Sequence, residues 1–116
     1  MRSGRVIFLR NEFTVAESVC RLTETFRERN KGLLGVDELF DGLWINPCNS
    51  IHMFFMRISI DVVYLDKLHR VCKLVSEVKP WQVSASLSAH SVLELAAGKI
   101  IEFDLKKGDQ LVWQDL

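Results

Sequence analysis

The sequence carries no surplus of charge: 15 basic residues stand against 15 acidic ones, for a formal net charge of +0. Without a whole-molecule field to attract phosphates or anionic lipid, a nucleic-acid-binding protein is not expected. Arg2, Arg5 and Arg10 make one local basic cluster, read as the solvated edge of a terminal strand. Long hydrophobic runs are also missing. No segment approaches the roughly 20 apolar residues of a spanning helix. Arg5 leads only into Val6-Ile7-Phe8-Leu9 before Arg10, short of the about 7–15 apolar residues of a secretory signal. Neither export nor membrane insertion is expected, and the expected location is cytoplasmic. Cysteine is scarce, at three residues. Cys20, Cys48 and Cys72 are an odd and widely spaced set, which argues for reduced thiols rather than a disulfide framework. Internal repeats and interdomain linkers are absent.

What is present is the composition of one folded domain spanning residues 1–116. Hydrophobic residues make up 48% of the chain and charged residues 26%, a balance that buries enough apolar surface to offset chain entropy. Residues 5–9 and 13–22 are β-rich runs separated by Arg10-Asn11-Glu12 and predict a hairpin. Thr25-Phe26-Arg27-Glu28 has capping-box spacing, so a short helix starts there and closes at Asn30-Lys31-Gly32. Leu33 and Leu34 are then expected in the core, and Gly35 to Gly42 is an acidic loop that Leu39 and Phe40 pin down. Leu43-Trp44-Ile45 predicts a strand and Asn46-Pro47-Cys48-Asn49-Ser50 a turn. Ile51 to Met56 is apolar on both alternating faces apart from His52, and Ile58 to Leu65 repeats the pattern, as in a central strand covered on both sides. It pairs with residues 70–78 as a hairpin. Lys79-Pro80-Trp81 ends that strand, residues 84–90 read as a surface loop, and Ser91–Ala96 and Gln110–Gln114 are further strands around a short helical segment after Gly98. The fold class is mainly β: a compact jelly-roll-like sandwich or small barrel of about seven short strands with one or two short helices.

In that order the motifs resemble a small bacterial and archaeal family known as domain of unknown function 192. Its carriers are Lys31-Gly32-Leu33-Leu34, where the family usually reads Gly-Leu-Met; the run from Trp44 to Met56; and Ile60 to Asp66. Lys79-Pro80-Trp81, Val92 to Leu95 with Ala97-Gly98, and Gly108-Asp109 complete the set. The resemblance implies a compact, mostly β, jelly-roll-like domain. It brings no established activity, ligand or catalytic residue.

Chemistry-bearing residues cluster without forming a complete set. Cys48 and His52 stand four apart near Pro47 and Ser50, the raw material of a nucleophile with its base or of two metal ligands, but no second ligand pair accompanies them. No metal site and no cofactor is expected. His90 and Glu94, also four apart, fall on one face if both lie on a strand. Asp61 and Glu94 each sit among apolar strand residues, where a carboxylate must be paired, hydrogen-bonded or protonated. Trp81 follows Pro80 at a strand end, where a large ring is hard to bury. The preferred reading is a non-catalytic binding module for a small molecule or peptide, with Pro47, Cys48, His52, Asp61, Trp81 and Glu94 as candidate site residues. The alternative is a small hydrolase or lyase using Cys48, or a metal on His52 and His90, with Asp61 or Glu94 as base. A third reading makes the edge strand 5–9 a docking site in an assembly.

Overall fold

Two hydrophobic cores lie on opposite faces of one curled sheet. The computed structural model describes residues 1–35 and 41–116, with Phe26 described by its backbone alone. In chain order the elements are β1 (Arg2–Arg10), β2 (Phe13–Leu22), α1 (Phe26–Lys31), β3 (Gly42–Ile45), β4 (Ser50–His52), β5 (Ile60–Leu65), β6 (Val71–Val78), β7 (Val83–Ala85), β8 (Ser91–Ala96), α2 (Lys99–Glu102) and β9 (Gln110–Asp115). Seven strands form one sheet in the order β6-β5-β8-β3-β2-β1-β9, and β4 pairs with β7 as a separate ribbon. All neighbours are antiparallel except β2 and β3.

Alternation along β5 explains the two cores, since successive strand side chains point to opposite faces. Every residue of β5 is buried. Val63 and Leu65 join Trp44, Leu93, Leu95 and Leu111 in one core. Ile60, Val62 and Tyr64 join Leu43, Ile45, Met53 and Val92 in the other. The first core fills the inside of the curl, because the two outermost strands of the sheet meet at one end. Arg70, just before β6, bridges to Gln110 on β9. Val71 donates to the Asp109 carbonyl and Leu111 to the His69 carbonyl, each at 2.8 Å. The expected mainly β sandwich or barrel therefore takes the form of a partly closed barrel. The second core lies outside the curl under the β4–β7 ribbon, which is tied down by the Tyr64 hydroxyl on Ser84 and by Lys73 on the Ala85 carbonyl, both at 2.7 Å.

Several sequence expectations shift. Nine strands stand among the described residues where about seven were expected, the difference including β4 and β7, each three residues long. The run 51–56 leaves strand geometry after His52, because Met56 donates back to the Met53 carbonyl and Phe55 takes a φ of 62°. Residues 84–90 are a loop only after Ala85. Strand β1 is no free edge, since β2 flanks it on one side and β9 on the other, so the docking site expected at 5–9 has no open hydrogen-bonding edge. The α1 capping box forms as expected, with the Glu28 amide on Thr25 Oγ1 at 3.1 Å and the Thr25 amide on Glu28 Oε1 at 3.2 Å. Leu33 is buried, but Leu34 is 44% exposed rather than in the core. The expected Leu39 and Phe40 pin lies outside the described residues.

Candidate functional site

Strand β8 alternates Leu93 and Leu95 toward the barrel interior with Val92 toward the outer core. Glu94 shares the parity of Val92, so its carboxyl faces the outer side. It is 6% exposed, and among the described residues it has no hydrogen-bond or ion-pair partner. Burial alone raises its carboxyl from 4.5 to about 7, the direction expected when the charged form loses water without gaining a partner.

Glu94 lines a cavity of about 320 Å³ between α1, the end of β3 and the 47–56 segment. Leu33, Ile45, Met53 and Met56 give it apolar walls, and Cys48, Ser50 and His52 add polar groups. Arg29 and Lys31 reach it from the last turn of α1. Lys31, His52 and Phe54 are exposed and Arg29 half-buried, whereas Glu94 and the apolar walls are buried. The cavity therefore has a carboxyl floor and a cationic mouth.

Four of the six residues singled out in the sequence meet here: Pro47, Cys48, His52 and Glu94. Their contacts are not those of a nucleophile and base. The Cys48 thiol donates to the Ser50 carbonyl at 3.1 Å. Burial pushes that thiol up, and the nearby Glu94 carboxylate adds to the effect. The His52 ring stacks on Phe54, centroids 4.9 Å apart.

Asp61 lies on the other face of the sheet. In the β5–β8 register Val62 stands opposite Glu94 and Asp61 opposite Leu95, and alternation turns Asp61 toward the barrel interior. Its carboxylate accepts the amides of Glu77 at 2.9 Å, Gly98 at 3.1 Å and Ile100 at 2.9 Å. Three backbone donors hold it on that face, so it is a clamp joining β6 to the start of α2, and not a base at the cavity. His90 precedes β8 and is exposed. Its carbonyl accepts the Cys48 amide and its own amide bonds the Leu65 carbonyl. It lines a different hollow, with Pro47, Cys48, Asn49 and Ala89. His52 and His90 thus line different hollows, and among the described residues no group of three or more His, Cys, Asp or Glu is placed to hold a metal ion.

Trp81, 59% exposed with a φ of 72°, sits beside the cavity rather than in it. Its ring centroid is 4.8 Å from that of Phe55 and 6.1 Å from that of Phe54, and Phe54 in turn lines the cavity. The three aromatics form a shelf leading to the mouth. Sequence reasoning missed Arg29 and Lys31. Lys31 reads there only as part of the Asn30-Lys31-Gly32 end that closes a helix and Arg29 does not stand out at all, since nothing local says which strands α1 leans on.

Fold and site together define a small, mostly β domain curled into a partly closed barrel, with a cavity of about 320 Å³ on its outer face. The chain belongs to the family DUF192, described as Uncharacterized ACR, COG1430, whose model matches residues 7–113. It is similar to a UPF0127 protein of Thermococcus gammatolerans, 34% identical over 79% of this chain and 64% of that protein. It is also similar to a UPF0127 protein of Pyrococcus horikoshii, 31% identical over 84% of this chain and 89% of that one. The chain thus spans just under two thirds of the Thermococcus protein's length. Two solved structures share the fold. A protein of unknown function from Novosphingobium aromaticivorans aligns with TM-score 0.79 and 22% identity over 94% of this chain and 84% of that one. A putative transcription regulator from Sinorhizobium meliloti aligns with TM-score 0.84 and 18% identity over 96% and 93%. No helix among the described residues is long and apolar enough to cross a membrane.

Proposed function

We propose that this chain is a non-catalytic binding module that takes a small molecule or a short peptide in the Glu94 cavity. The observation that carries the reading is the buried carboxyl without a partner. Leaving an ionisable group unpaired in apolar surroundings is costly, and a ligand that brings a hydrogen-bond donor or a cation to Glu94 removes that cost. The volume of about 320 Å³ falls at the small end of the about 300–1,000 Å³ of ligand sites. Apolar walls with a few convergent polar groups are also typical of such sites.

The hydrolase or lyase alternative loses its support. Cys48 is held as a thiol on a carbonyl, Asp61 is spent on backbone amides, and His52 and His90 line separate hollows. Three free cysteines fit a reducing, cytoplasmic setting, and the balanced charge offers nucleic acid no general attraction. A fragment titration followed by 1H–15N NMR tests the reading. Fragments with an amine or amide donor are expected to shift amides of Ile45, Cys48, Met53 and Glu94 together. Shifts scattered over the surface, or none at this cavity, would overturn it.

A further inference from the structure

The cavity is electrically two-ended. Glu94 at the floor has no partner, and among the described residues neither Arg29 nor Lys31 at the mouth enters an ion pair. The two ends do not neutralise each other, since burial alone sets the Glu94 carboxyl and neither cation holds it down. Building on the binding reading above, we propose that the ligand is a small zwitterion, an apolar amino acid or dipeptide, whose ammonium pairs with Glu94 while its carboxylate faces Arg29 and Lys31.

Each simpler ligand leaves one end unsatisfied. A plain amine must pass two cations to reach the floor and leaves the mouth uncompensated. A plain anion is held at the mouth, and the Glu94 carboxylate repels it from the floor. A neutral apolar molecule fills the walls and leaves both charges as they were. A zwitterion supplies an opposite charge at each end, and Leu33, Ile45, Met53 and Met56 between them suit an apolar side chain. The small volume favours one or two residues over a longer peptide.

Binding an ammonium at Glu94 requires the carboxylate form, so affinity follows its titration. The other charged or titratable groups around it are Arg29, Lys31, His52 and Cys48 in the cavity and Tyr64 on β5. Of these, it is Glu94 whose carboxyl is raised to about 7 and so changes charge near neutrality.

The test uses the full chain, calorimetry and 1H–15N NMR, with the apolar standard amino acids and their dipeptides as probes. Each is compared with its N-acetyl form, which removes the ammonium, and with its amide, which removes the carboxylate. Free zwitterions are expected to shift the Ile45, Met53 and Glu94 amides. N-acetylation should weaken binding roughly tenfold or more, as for a charge-assisted bond in a desolvated site. Amidation should weaken it about threefold, because the pairs at the mouth are solvent-screened. Double replacement of Arg29 and Lys31 by Gln should erase the difference between acid and amide. Affinity should fall roughly tenfold from pH 8 to pH 6 in wild type and in His52→Gln, and stay flat in Glu94→Gln. If Glu94→Gln does not fold, the acetylated probes on wild type decide the matter. Equal affinity for free and acetylated probes would overturn the inference. So would cavity shifts from the amine or amide fragments above with none from any amino acid or dipeptide, a result that leaves the binding reading standing. An unresponsive cavity would sink both.

Discussion

Glu94 sets a pH dependence on stability whose sign follows from its surroundings. Its carboxyl is raised from 4.5 in the unfolded chain to about 7 in the fold, so between those values the folded state holds a proton that the unfolded state has released. Folding is favoured below the unfolded value and loses that advantage as pH rises through 7. The full loss is up to roughly 3 kcal/mol, taking about 1.4 kcal/mol for each tenfold change in proton affinity. Urea denaturation at pH 5 and pH 8 measures it. Wild type should lose stability between the two, and Glu94→Gln, which cannot ionise, should lose much less. Parallel losses in the two proteins would show that Glu94 is not the buried, unpaired group described above.

Among the elements, the clearest dependence is that of α2 on Asp61. A four-residue helix cannot hold itself in water, and α2 opens at Gly98, which supplies no side-chain cap. Asp61 on β5 accepts the Gly98 and Ile100 amides in place of a cap, from 37 and 39 residues away. Asp61→Asn keeps the shape but turns an amide group with its own N–H bonds toward three backbone donors. The expected cost is roughly 2–4 kcal/mol by chemical denaturation, with the Gly98 and Ile100 amides exchanging faster than those of β8. Unchanged protection at those two amides would refute the cap. Here too lies the limit of what the sequence reveals. The α1 cap is legible because Thr25 and Glu28 are neighbours, and the burial of β5 because alternation is local. Asp61 stands out as a costly group, but its α2 partners lie a third of the chain away, so cap and catalytic base look alike. The Cys48 and His52 spacing is likewise legible, whereas the Ser50 carbonyl and the Phe54 ring that engage them depend on where the chain turns. Strands of three residues such as β4 and β7 carry too few alternations to register at all.

Over the whole molecule, closure of the barrel rests on one seam, which is why the sequence leaves sandwich and barrel undecided: nothing local links residues 69–71 to 109–111. Asp109 sits at that seam, 1% exposed. It accepts Arg10 Nε and Nη2 and the Lys106 amide, all at 2.8 Å, while its carbonyl takes the Val71 amide. Burial would raise the Asp109 carboxyl, but the Arg10 guanidinium and the Lys106 amide more than offset this and hold it below its ordinary 3.8. Salt bridges from Glu28 to the N-terminus and from Asp115 to Arg2 bring those two carboxyls down to about 2. For these lowered groups the stabilisation is present above the ordinary carboxylate values and is lost as pH falls from there through the lowered ones. Glu94 works in the opposite sense, removing stability as pH rises from 4.5 to about 7. The two limbs meet in mild acid, so thermal denaturation from pH 3 to pH 8 should show a maximum near pH 5 rather than at neutrality. Asp109→Asn should make the acid side shallower, with Glu28 and Asp115 keeping part of it, and speed exchange at the Val71 and Leu111 amides. Glu94→Gln should flatten the neutral side and leave that seam protected. A wild-type maximum at or above pH 7 would mean that ligand-free Glu94 is not buried without a partner, and the electrical asymmetry of the cavity would fall with it.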